Sequence, residues 1–370
     1  MRKNFFCSLL LCLVGHLGYA HTIMPSVDEF SQSVHSYNLE HPKVSDYERY
    51  TPDQYEQIAD NLIKYQNNDG GWPKNIDWLA KTSPEGVLSS LILKKRKSTV
   101  DNWNVYPQIR YLAHVYTLTD KDEYKDSVLR GLAYLFNTQD EDGAWWGSDV
   151  QVPTLNDNVT TGVLKLFLDI LDGDERFLWL PMEYRSNIKY AFDNGINFIL
   201  RAQIIQSGVK TGWAQQYTIG DLQPTRARAY ELPAIACWES CNVLNLLMDI
   251  KNPNDEIKQA VNSAVKWLNQ VTINEFRLEK VYQETSIPEY PYDLIGVKDK
   301  DARPIWARFY EISDNTPFMC TRKGNKVYDI SELSFERRVG YFWYGYWPDE
   351  VFEKYATWRV QHMLVDEQSL

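Results

Sequence analysis

The chain has 370 residues, a formal net charge of −11 and 44% hydrophobic residues, which excludes a disordered chain and a uniformly basic surface. Nucleic acid is therefore not an expected partner. Aromatic residues are abundant, with 13 Trp, 24 Tyr and 14 Phe. This excess fits either a large helical core or surfaces that stack on sugar rings, and composition alone leaves both interpretations open.

The first 20 residues have the pattern of a secretory signal peptide. Arg2 and Lys3 give a positive start, residues 5–14 form an apolar run, and small residues precede an expected cleavage site after Ala20. The run is too short to span a membrane. We therefore expect an exported protein, periplasmic or secreted, with no membrane insertion after cleavage. Removal of Arg2 and Lys3 would change the formal charge from −11 to −13.

Three cysteines remain after this cleavage, which is too few for a disulfide framework. They are Cys237, Cys241 and Cys320. Cys237 and Cys241 are four residues apart, a spacing that could present two metal ligands on one helix face. No His or second Cys pair completes a zinc set, so buried free thiols are the favoured interpretation.

Helical periodicity begins at Thr51, after a polar leader over residues 21–50, and recurs along most of the chain. It predicts helices over residues 51–67, 102–118, 122–138, 157–172, 184–203, 233–250 and 254–270. Three of them end with a phrase of Gln, Gly and Trp, in which the tryptophans are Trp72, Trp145 and Trp213. Intervals of 73 and 68 residues between these tryptophans hold about two helices each, which predicts repeated helical hairpins wound around an axis. The tryptophans could seal hairpin ends or line a cleft.

The helical pattern fades after about residue 275, where prolines interrupt it. Residues 306–312 alternate like a short strand, and Lys323-Gly324-Asn325 is typical of a hairpin turn. We therefore expect a helical body over residues 51–273, a partly β portion over residues 274–350 and a tail over residues 351–370.

Acidic and amide side chains are concentrated where two predicted helices begin. Asp101-Asn102 precedes one helix and Asn156-Asp157-Asn158 precedes another. Helix capping is the simple interpretation, because Asp and Asn are common N-cap residues. Each group nevertheless carries more oxygen atoms than a cap uses, and two such groups on one rim would suit Ca²⁺, although the spacing is not that of an EF-hand.

Arginines stand beside aromatic residues in the second half of this acidic chain. Arg226 and Arg228 precede Tyr230, and Arg308 and Arg322 follow later. Arginine binds carboxylates through two parallel hydrogen bonds and stacks on aromatic rings, so the pattern indicates a local anion site. Aromatic faces, oxygen-rich loops and arginines together suit a polysaccharide that bears carboxylates.

Five short motifs, in order along the chain, resemble those of polysaccharide lyase family 10, the helical pectate lyases. They are Gly70-Gly71-Trp72-Pro73-Lys74-Asn75, Asn156-Asp157-Asn158, Gly212-Trp213-Ala214-Gln215-Gln216-Tyr217, Ala227-Arg228-Ala229-Tyr230-Glu231-Leu232-Pro233 and Trp306-Ala307-Arg308-Phe309-Tyr310-Glu311. Glu336-Arg337-Arg338 and Tyr344-Gly345 also match. The resemblance covers roughly residues 50–350, and five motifs in order are hard to obtain by chance.

This resemblance implies a mainly α fold: an (α/α) toroid-like helical-hairpin domain with a smaller, irregular or β C-terminal part and a cleft between them. It implies calcium-dependent cleavage of polygalacturonate by anti β-elimination, giving 4,5-unsaturated oligogalacturonides. A monomer is the expected state. In this reaction a base removes the proton at C5, beside the carboxylate, and the C4–O bond then breaks without consuming water.

The resemblance also implies residue roles. Arg228 matches the family's base, a demanding role because a guanidinium normally stays protonated. Asp101 matches an aspartate near the catalytic centre and is a second candidate metal ligand, while Asp157 matches a calcium ligand. Arg308 and Arg322 match arginines that hold substrate carboxylates.

Three further residues are expected to contact substrate, although two of these transfers are weaker. They are Lys74, Asn102 and Tyr230.

Two departures from the family pattern insert bulk near the expected cleft. They are Trp103-Asn104-Val105-Tyr106-Pro107 and Gly143-Ala144-Trp145-Trp146-Gly147. They leave the expected catalytic residues in place but put the substrate in question. Two alternatives therefore stay open: a non-catalytic uronate-binding protein on the same scaffold, and an (α/α)-barrel glycoside hydrolase with Asp101 and Asp157 as acid and base.

Overall fold

A computed structural model of the protein describes residues 24–41, 47–81, 96–287 and 289–362. The expected signal peptide lies outside these ranges. Within them the α-helices are α1 (Ser31–Glu40), α2 (Tyr55–Tyr65), α3 (Tyr106–Thr119), α4 (Asp122–Thr138), α5 (Val159–Leu171), α6 (Met182–Ala202), α7 (Cys237–Asp249), α8 (Asp255–Gln270), α9 (Phe335–Val339) and α10 (Pro348–His362).

The helices form two layers, and the residue pattern explains which helix lies in which. Helices α3, α5 and α7 contact one another in sequence as an inner layer, while α2, α4, α6 and α8 form an outer layer. Outer helix α4 buries one stripe that includes Tyr124, Val128, Leu132 and Leu135. Inner helix α5 is apolar around most of its surface and is largely buried. The fold is therefore mainly α and built of helical hairpins, as predicted.

The tryptophans of the repeated phrase seal the hairpin ends. All three indole rings are fully buried. Each indole N–H donates to a main-chain carbonyl of the preceding helix: Trp72 to Leu62 at 2.8 Å, Trp145 to Leu135 at 2.9 Å and Trp213 to Ile199 at 2.8 Å. These aromatic residues therefore belong to the core.

The glutamines of the same phrase join one outer helix to the next. Each side-chain amide donates to two carbonyls: Gln66 to Gly70 and Ser127, Gln139 to Gly143 and Ala191, and Gln203 to Thr211 and Ala260. At the following turn, Gly70 and Gly143 have φ of +92° and +96°, and a Cβ atom there would lie 2.2 or 2.3 Å from a carbonyl oxygen of the next outer helix. Only glycine fits this approach.

The C-terminal part is irregular with short strands, as predicted. Its strands are β4 (Phe276–Tyr282), β5 (Tyr292–Lys298), β6 (Trp306–Ala307), β7 (Phe309–Tyr310), β8 (Pro317–Cys320), β9 (Lys326–Val327) and β10 (Tyr344–Gly345). Three earlier strands lie within the helical body: β1 (Ile205–Gln206), β2 (Val209–Lys210) and β3 (Ile235–Ala236). Strands β3, β7, β8 and β9 form one sheet in that order. The expected strand at residues 306–312 is split at Arg308, and the expected turn at residues 323–325 joins β8 to β9.

Near each end of the described part of the chain lies a helix that the periodicity did not predict. Helix α1 lies within the segment expected to be a leader, and α10 covers the start of the expected tail and packs on α7 and α8. Cys237, Cys241 and Cys320 are free and buried, as expected. Within the ranges described, each helix is either too short or too polar to cross a bilayer.

Candidate active site

The two oxygen-rich segments do not cap their helices. Helix α3 begins at Tyr106, four residues later than predicted, and α5 begins at Val159, two residues later, with no side-chain cap on either. The reason is a left-handed backbone, with φ of 74° at Val105 and 51° at Asp157. A positive φ is an outlier for a β-branched residue, and such strain concentrates at functional sites. The capping interpretation is therefore wrong, and Asp101 and Asp157 have other partners.

Asp101 is buried and well satisfied. Its Oδ2 atom accepts from Lys74 Nζ at 2.7 Å, from the main-chain N–H of Ser148 at 3.1 Å and from the Ser148 hydroxyl. Its Oδ1 atom accepts from the main-chain N–H of Asn102 at 3.1 Å. Burial opposes ionisation, but the Lys74 ammonium and the Ser148 donors outweigh it and lower the pKa of Asp101. Asp101 is thus a fixed carboxylate.

In contrast to Asp101, Asp157 has a pKa that is raised by its surroundings. Burial, together with the nearby charge of Asp101, raises its pKa to about 7, and the more distant charges of Arg308 and Arg228 offset this only in part. Among the described residues, no Lys or Arg nitrogen lies within 4.0 Å of its carboxylate. Asn156 Nδ2 donates to it at 3.1 Å. A carboxylate this poorly compensated is suited to binding a cation.

Arg308, whose charge acts on this carboxylate, is 5% exposed. Its Nη2 donates to Glu239 Oε1 at 2.7 Å and to Asn156 Oδ1 at 3.2 Å, and its guanidinium stacks on Trp238 at 4.5 Å. Burial opposes its charge, but Glu239 outweighs burial and raises the pKa of Arg308. Within the ranges that the structure describes, Arg308 Nε and Glu239 Oε2 are buried and have no hydrogen-bond partner.

Arg228 is held by a buried acid. Its Nε donates to Glu231 Oε1 at 2.9 Å, Nη2 contacts the same oxygen, and its main-chain N–H donates to Glu231 Oε2 at 3.2 Å. Asp149 lies 3.6 Å away. Burial of the Arg228 side chain lowers its pKa, but Glu231 outweighs burial and raises it. Arg228 is therefore cationic in the free protein.

Tyr230 is the centre of a group of three arginines. The guanidinium carbons of Arg228, Arg322 and Arg337 lie 5.1, 5.1 and 4.3 Å from its ring centroid. Arg322 is exposed and paired with Glu336. Arg337 is 2% exposed, and its Nε and Nη2 atoms have no hydrogen-bond partner among the described residues. Burial and the charge of Arg322 lower its pKa. Stacking on one ring holds three cations together, which suits an anionic ligand.

A small cavity joins several of these residues. Asn102, Trp103, Asp157, Glu239 and Arg308 all line it, and its volume is about 60 Å³. A water molecule takes up about 30 Å³ in the liquid, so this space suits an ion or two waters and not a sugar ring. In the part of the chain described, His, Cys, Asp and Glu do not form a group of three or more placed to hold a metal. A metal here would need amide, water or ligand oxygens as well.

Four residues of the site were not assigned a role from the sequence. They are Ser148, Glu231, Glu239 and Arg337. Glu231 stands inside a motif that was noticed for its arginine, and Glu239 is a charged residue in a stretch between two buried cysteines. A lone charge among apolar residues is the signal that could have identified Glu239.

Comparisons with known proteins identify the family of the chain. The family model described as pectic acid lyase matches residues 66–352. A family 10 polysaccharide lyase from Cellvibrio cellulosa has a similar structure, with a TM-score of 0.68, 28% sequence identity and coverage of 90% of this chain and 99% of that chain. A mutant of the family 10 lyase from the same organism, in complex with trigalacturonic acid, matches with a TM-score of 0.69 and the same identity and coverage.

Among the curated proteins compared, none matches the chain. The family match nevertheless spans more than three quarters of the sequence and contains the oxygen-rich loops and the arginine group. The chain belongs to the pectic acid lyase family and is a polysaccharide lyase.

Proposed function

We propose that the protein is an exported, monomeric pectate lyase that cleaves polygalacturonate by calcium-dependent anti β-elimination. Family membership and the trigalacturonic acid bound by a similar lyase support the substrate class. The observation that carries the proposal is the arginine group of Arg228, Arg322 and Arg337 around Tyr230, in a chain of net charge −11. Such a local cation cluster has a clear use if the substrate carries carboxylates.

Substrate carboxylates would be held by the arginines. Arg322 is exposed and can exchange its surface pair with Glu336 for a substrate carboxylate at little cost. Arg337 lies on the same Tyr230 ring, and its Nε and Nη2 groups have no hydrogen-bond partner among the described residues. It adds a further positive charge to the arginine group. Arg308 is buried and paired with Glu239, so it would not bind substrate directly. Its positive charge would instead act mainly on the Asp157 carboxylate. Lys74 and Asn102 complete the rim.

Arg228 is the proposed acceptor of the C5 proton. The electron pair of the C5–H bond forms the C4=C5 double bond, the C4–O bond breaks, and the departing oxygen takes a proton from solvent. The neighbouring cations stabilise the negative charge that develops on the C6 carboxylate in the transition state. Because Glu231 keeps Arg228 protonated, Arg228 must release a proton before it can accept one, and the reaction should require alkaline conditions.

The residues present fit a calcium ion at Asp157. The raised pKa of Asp157 and the unpartnered Oε2 atom of Glu239, on the same small cavity, indicate a place where a cation is needed. Asp157 would be the main ligand, while Asp101 contributes chiefly negative charge because Lys74 and Ser148 already occupy its Oδ2 atom. Bound calcium would help hold the substrate carboxylate and withdraw electron density from it.

One assay separates this proposal from the alternatives. The protein would be mixed with polygalacturonate and calcium, and ultraviolet absorbance would be followed, since the unsaturated uronate is conjugated with its carboxylate. A rise that chelator abolishes is expected. New reducing ends without absorbance would instead favour hydrolysis, and calcium-dependent binding without any cleavage would favour the uronate-binding protein.

A further inference from the structure

A second and larger cavity opens directly beside Asp101. Lys74 and Ser148, which both hydrogen-bond to Asp101, also line this cavity. Its volume is about 600 Å³, within the range of about 300–1,000 Å³ that is usual for small-ligand sites. It therefore shares Lys74 and Ser148 with the surroundings of Asp101 and is large enough for a sugar ring, unlike the small cavity at Asp157.

Among the charged residues that line this cavity, basic residues outnumber acidic ones. Lys74, Arg96 and Lys97 line it, and Glu40 of helix α1 is the acidic residue among its lining residues. Glu40 lies 3.5 Å from Arg96 and also accepts a hydrogen bond from Asn75. Lys97 is exposed and has no ion-pair partner among the described residues. The cavity thus offers Lys97, which is unpaired within the described part of the chain, and Arg96, whose surface pair with Glu40 a stronger anion could displace.

Trp146 gives the cavity an aromatic wall. Its indole N–H donates to Asp140 at 2.7 Å, and its main chain pairs with Pro153, so the ring is held from two sides. The corresponding position in the first Gly-Gly-Trp phrase is Pro73. The sequence departure at Trp146 therefore places a fixed, half-buried ring on the wall of a basic cavity, an arrangement suited to a sugar that bears a carboxylate.

We propose that this cavity is a substrate subsite that binds one further uronate residue, beside the two that flank the cleaved bond. The ring of Trp146 packs against the sugar face, and Arg96 and Lys97 bind its carboxylate. The proposal rests on the proposed function and adds a prediction about substrate. Longer oligogalacturonates should be cleaved more efficiently than shorter ones, and methyl esterification of the residue in the cavity should weaken binding because it removes the charge.

The test uses Trp146→Ala and Lys97→Ala with matched controls on the outer face of α6. The controls are Tyr190→Ala, which removes an exposed aromatic ring, and Lys189→Ala, which removes an exposed cation. The value of kcat/KM is measured on oligogalacturonates of increasing length. For the wild type and both controls, kcat/KM should increase with substrate length. For each test variant, this increase should be about tenfold smaller. Test variants that keep the full gain would overturn the proposal.

Glu40→Gln gives an effect of opposite sign. Removal of its charge frees Arg96, so the variant should bind trigalacturonate about threefold more tightly by calorimetry, whereas Lys97→Ala should bind it more weakly. Weaker binding by Glu40→Gln would show that the Glu40–Arg96 pair only shapes the cavity and would contradict the proposal. If the wild type forms no unsaturated product, the proposed function fails separately. The same calorimetry then decides the subsite, and equal binding by wild type, Lys97→Ala and Trp146→Ala would reject it.

Discussion

The buried carboxylate of Glu231 holds the guanidinium of Arg228, with Nε donating to Oε1 across 2.9 Å. This pair opposes the role we propose for Arg228, because the Glu231 charge raises the pKa of the group that must lose a proton. Glu231 is 1% exposed, so water screens this charge little. The pair therefore fixes the position of Arg228 and at the same time sets the pH at which it can act.

The role of Arg228 predicts a large loss of activity in Arg228→Ala. General base catalysis contributes about 10²–10⁴-fold to rate, so kcat should fall by about 10³-fold, measured as formation of unsaturated product. Arg226→Ala is the matched control, since Arg226 is two residues away and exposed. It should stay within about threefold of wild type. Full activity of Arg228→Ala would make the base assignment wrong even if lyase activity is found.

The Arg228–Glu231 pair predicts the shape of the pH profile. Because the pKa of Arg228 is raised, the fraction that is neutral should keep increasing with pH, and kcat/KM should rise without a plateau up to at least about pH 10. Glu231→Gln removes the charge that raises this pKa while keeping an oxygen acceptor. The rise should then move to lower pH. A profile that levels off near neutral pH, or that is identical in the variant, would exclude Arg228 as the titrating base.

Asp157 predicts a link between calcium, pH and stability. Its folded-state pKa is about 7, above the unfolded value of about 3.9, so the folded state alone retains this proton between those two pH values. The stability that comes from this higher proton affinity of the folded state is fully present below the unfolded pKa of about 3.9, and it is lost as pH rises towards 7. Bound calcium should offset the unfavourable energy of the buried, ionised carboxylate. It should therefore raise Tm more at pH 8, where Asp157 is mostly ionised, than at pH 5.5.

Asp157→Asn tests that explanation without an activity assay. The variant should have a higher Tm than wild type at pH 8 without calcium, and it should lose most of the Tm increase on calcium addition. Asp193→Asn, on an exposed acid of α6, should keep the wild-type response. An unchanged calcium response in Asp157→Asn would show that the ion binds elsewhere.

The close approach at Gly143 predicts a stability effect that is separate from catalysis. A Cβ atom at Gly143 would lie 2.3 Å from the Asn194 carbonyl oxygen, so Gly143→Ala should lower the free energy of unfolding by about 2–4 kcal/mol. Gly173 has a similar φ of +92° but open space around it, so Gly173→Ala isolates the cost of the backbone angle. Denaturant unfolding should show the larger loss for Gly143→Ala. Equal losses would mean that the contact contributes nothing.

Much of the helical body could be predicted from the sequence, because its signals are local. Helix α4 has the predicted bounds, residues 122–138, since its apolar stripe repeats cleanly. The starts of α3 and α5 were placed too early because Asn and Asp in left-handed backbone look like N-caps in sequence. The tryptophans could not be placed, since the sequence does not show which neighbour covers a ring.

The contacts within the candidate site were harder to predict, because they join distant parts of the chain. Strand β7 pairs with β3, and the main-chain N–H of Cys237 donates to the Arg308 carbonyl at 2.8 Å. That pairing brings Glu239 to Arg308 across 69 residues of sequence. The sequence motifs identified Arg308 as a candidate site residue. Only the register of the sheet shows that Arg308 is buried and that it pairs with Glu239.

The proposed role of Arg228 in β-elimination is tested by the ultraviolet absorbance that wild type and Arg228→Ala form from polygalacturonate in parallel. We expect a calcium-dependent rise for the wild type that chelator abolishes, and a rate about 10³-fold lower for Arg228→Ala, with Arg226→Ala close to wild type. No absorbance from the folded wild type with calcium at alkaline pH, or equal rates for wild type and Arg228→Ala, would contradict the proposed mechanism.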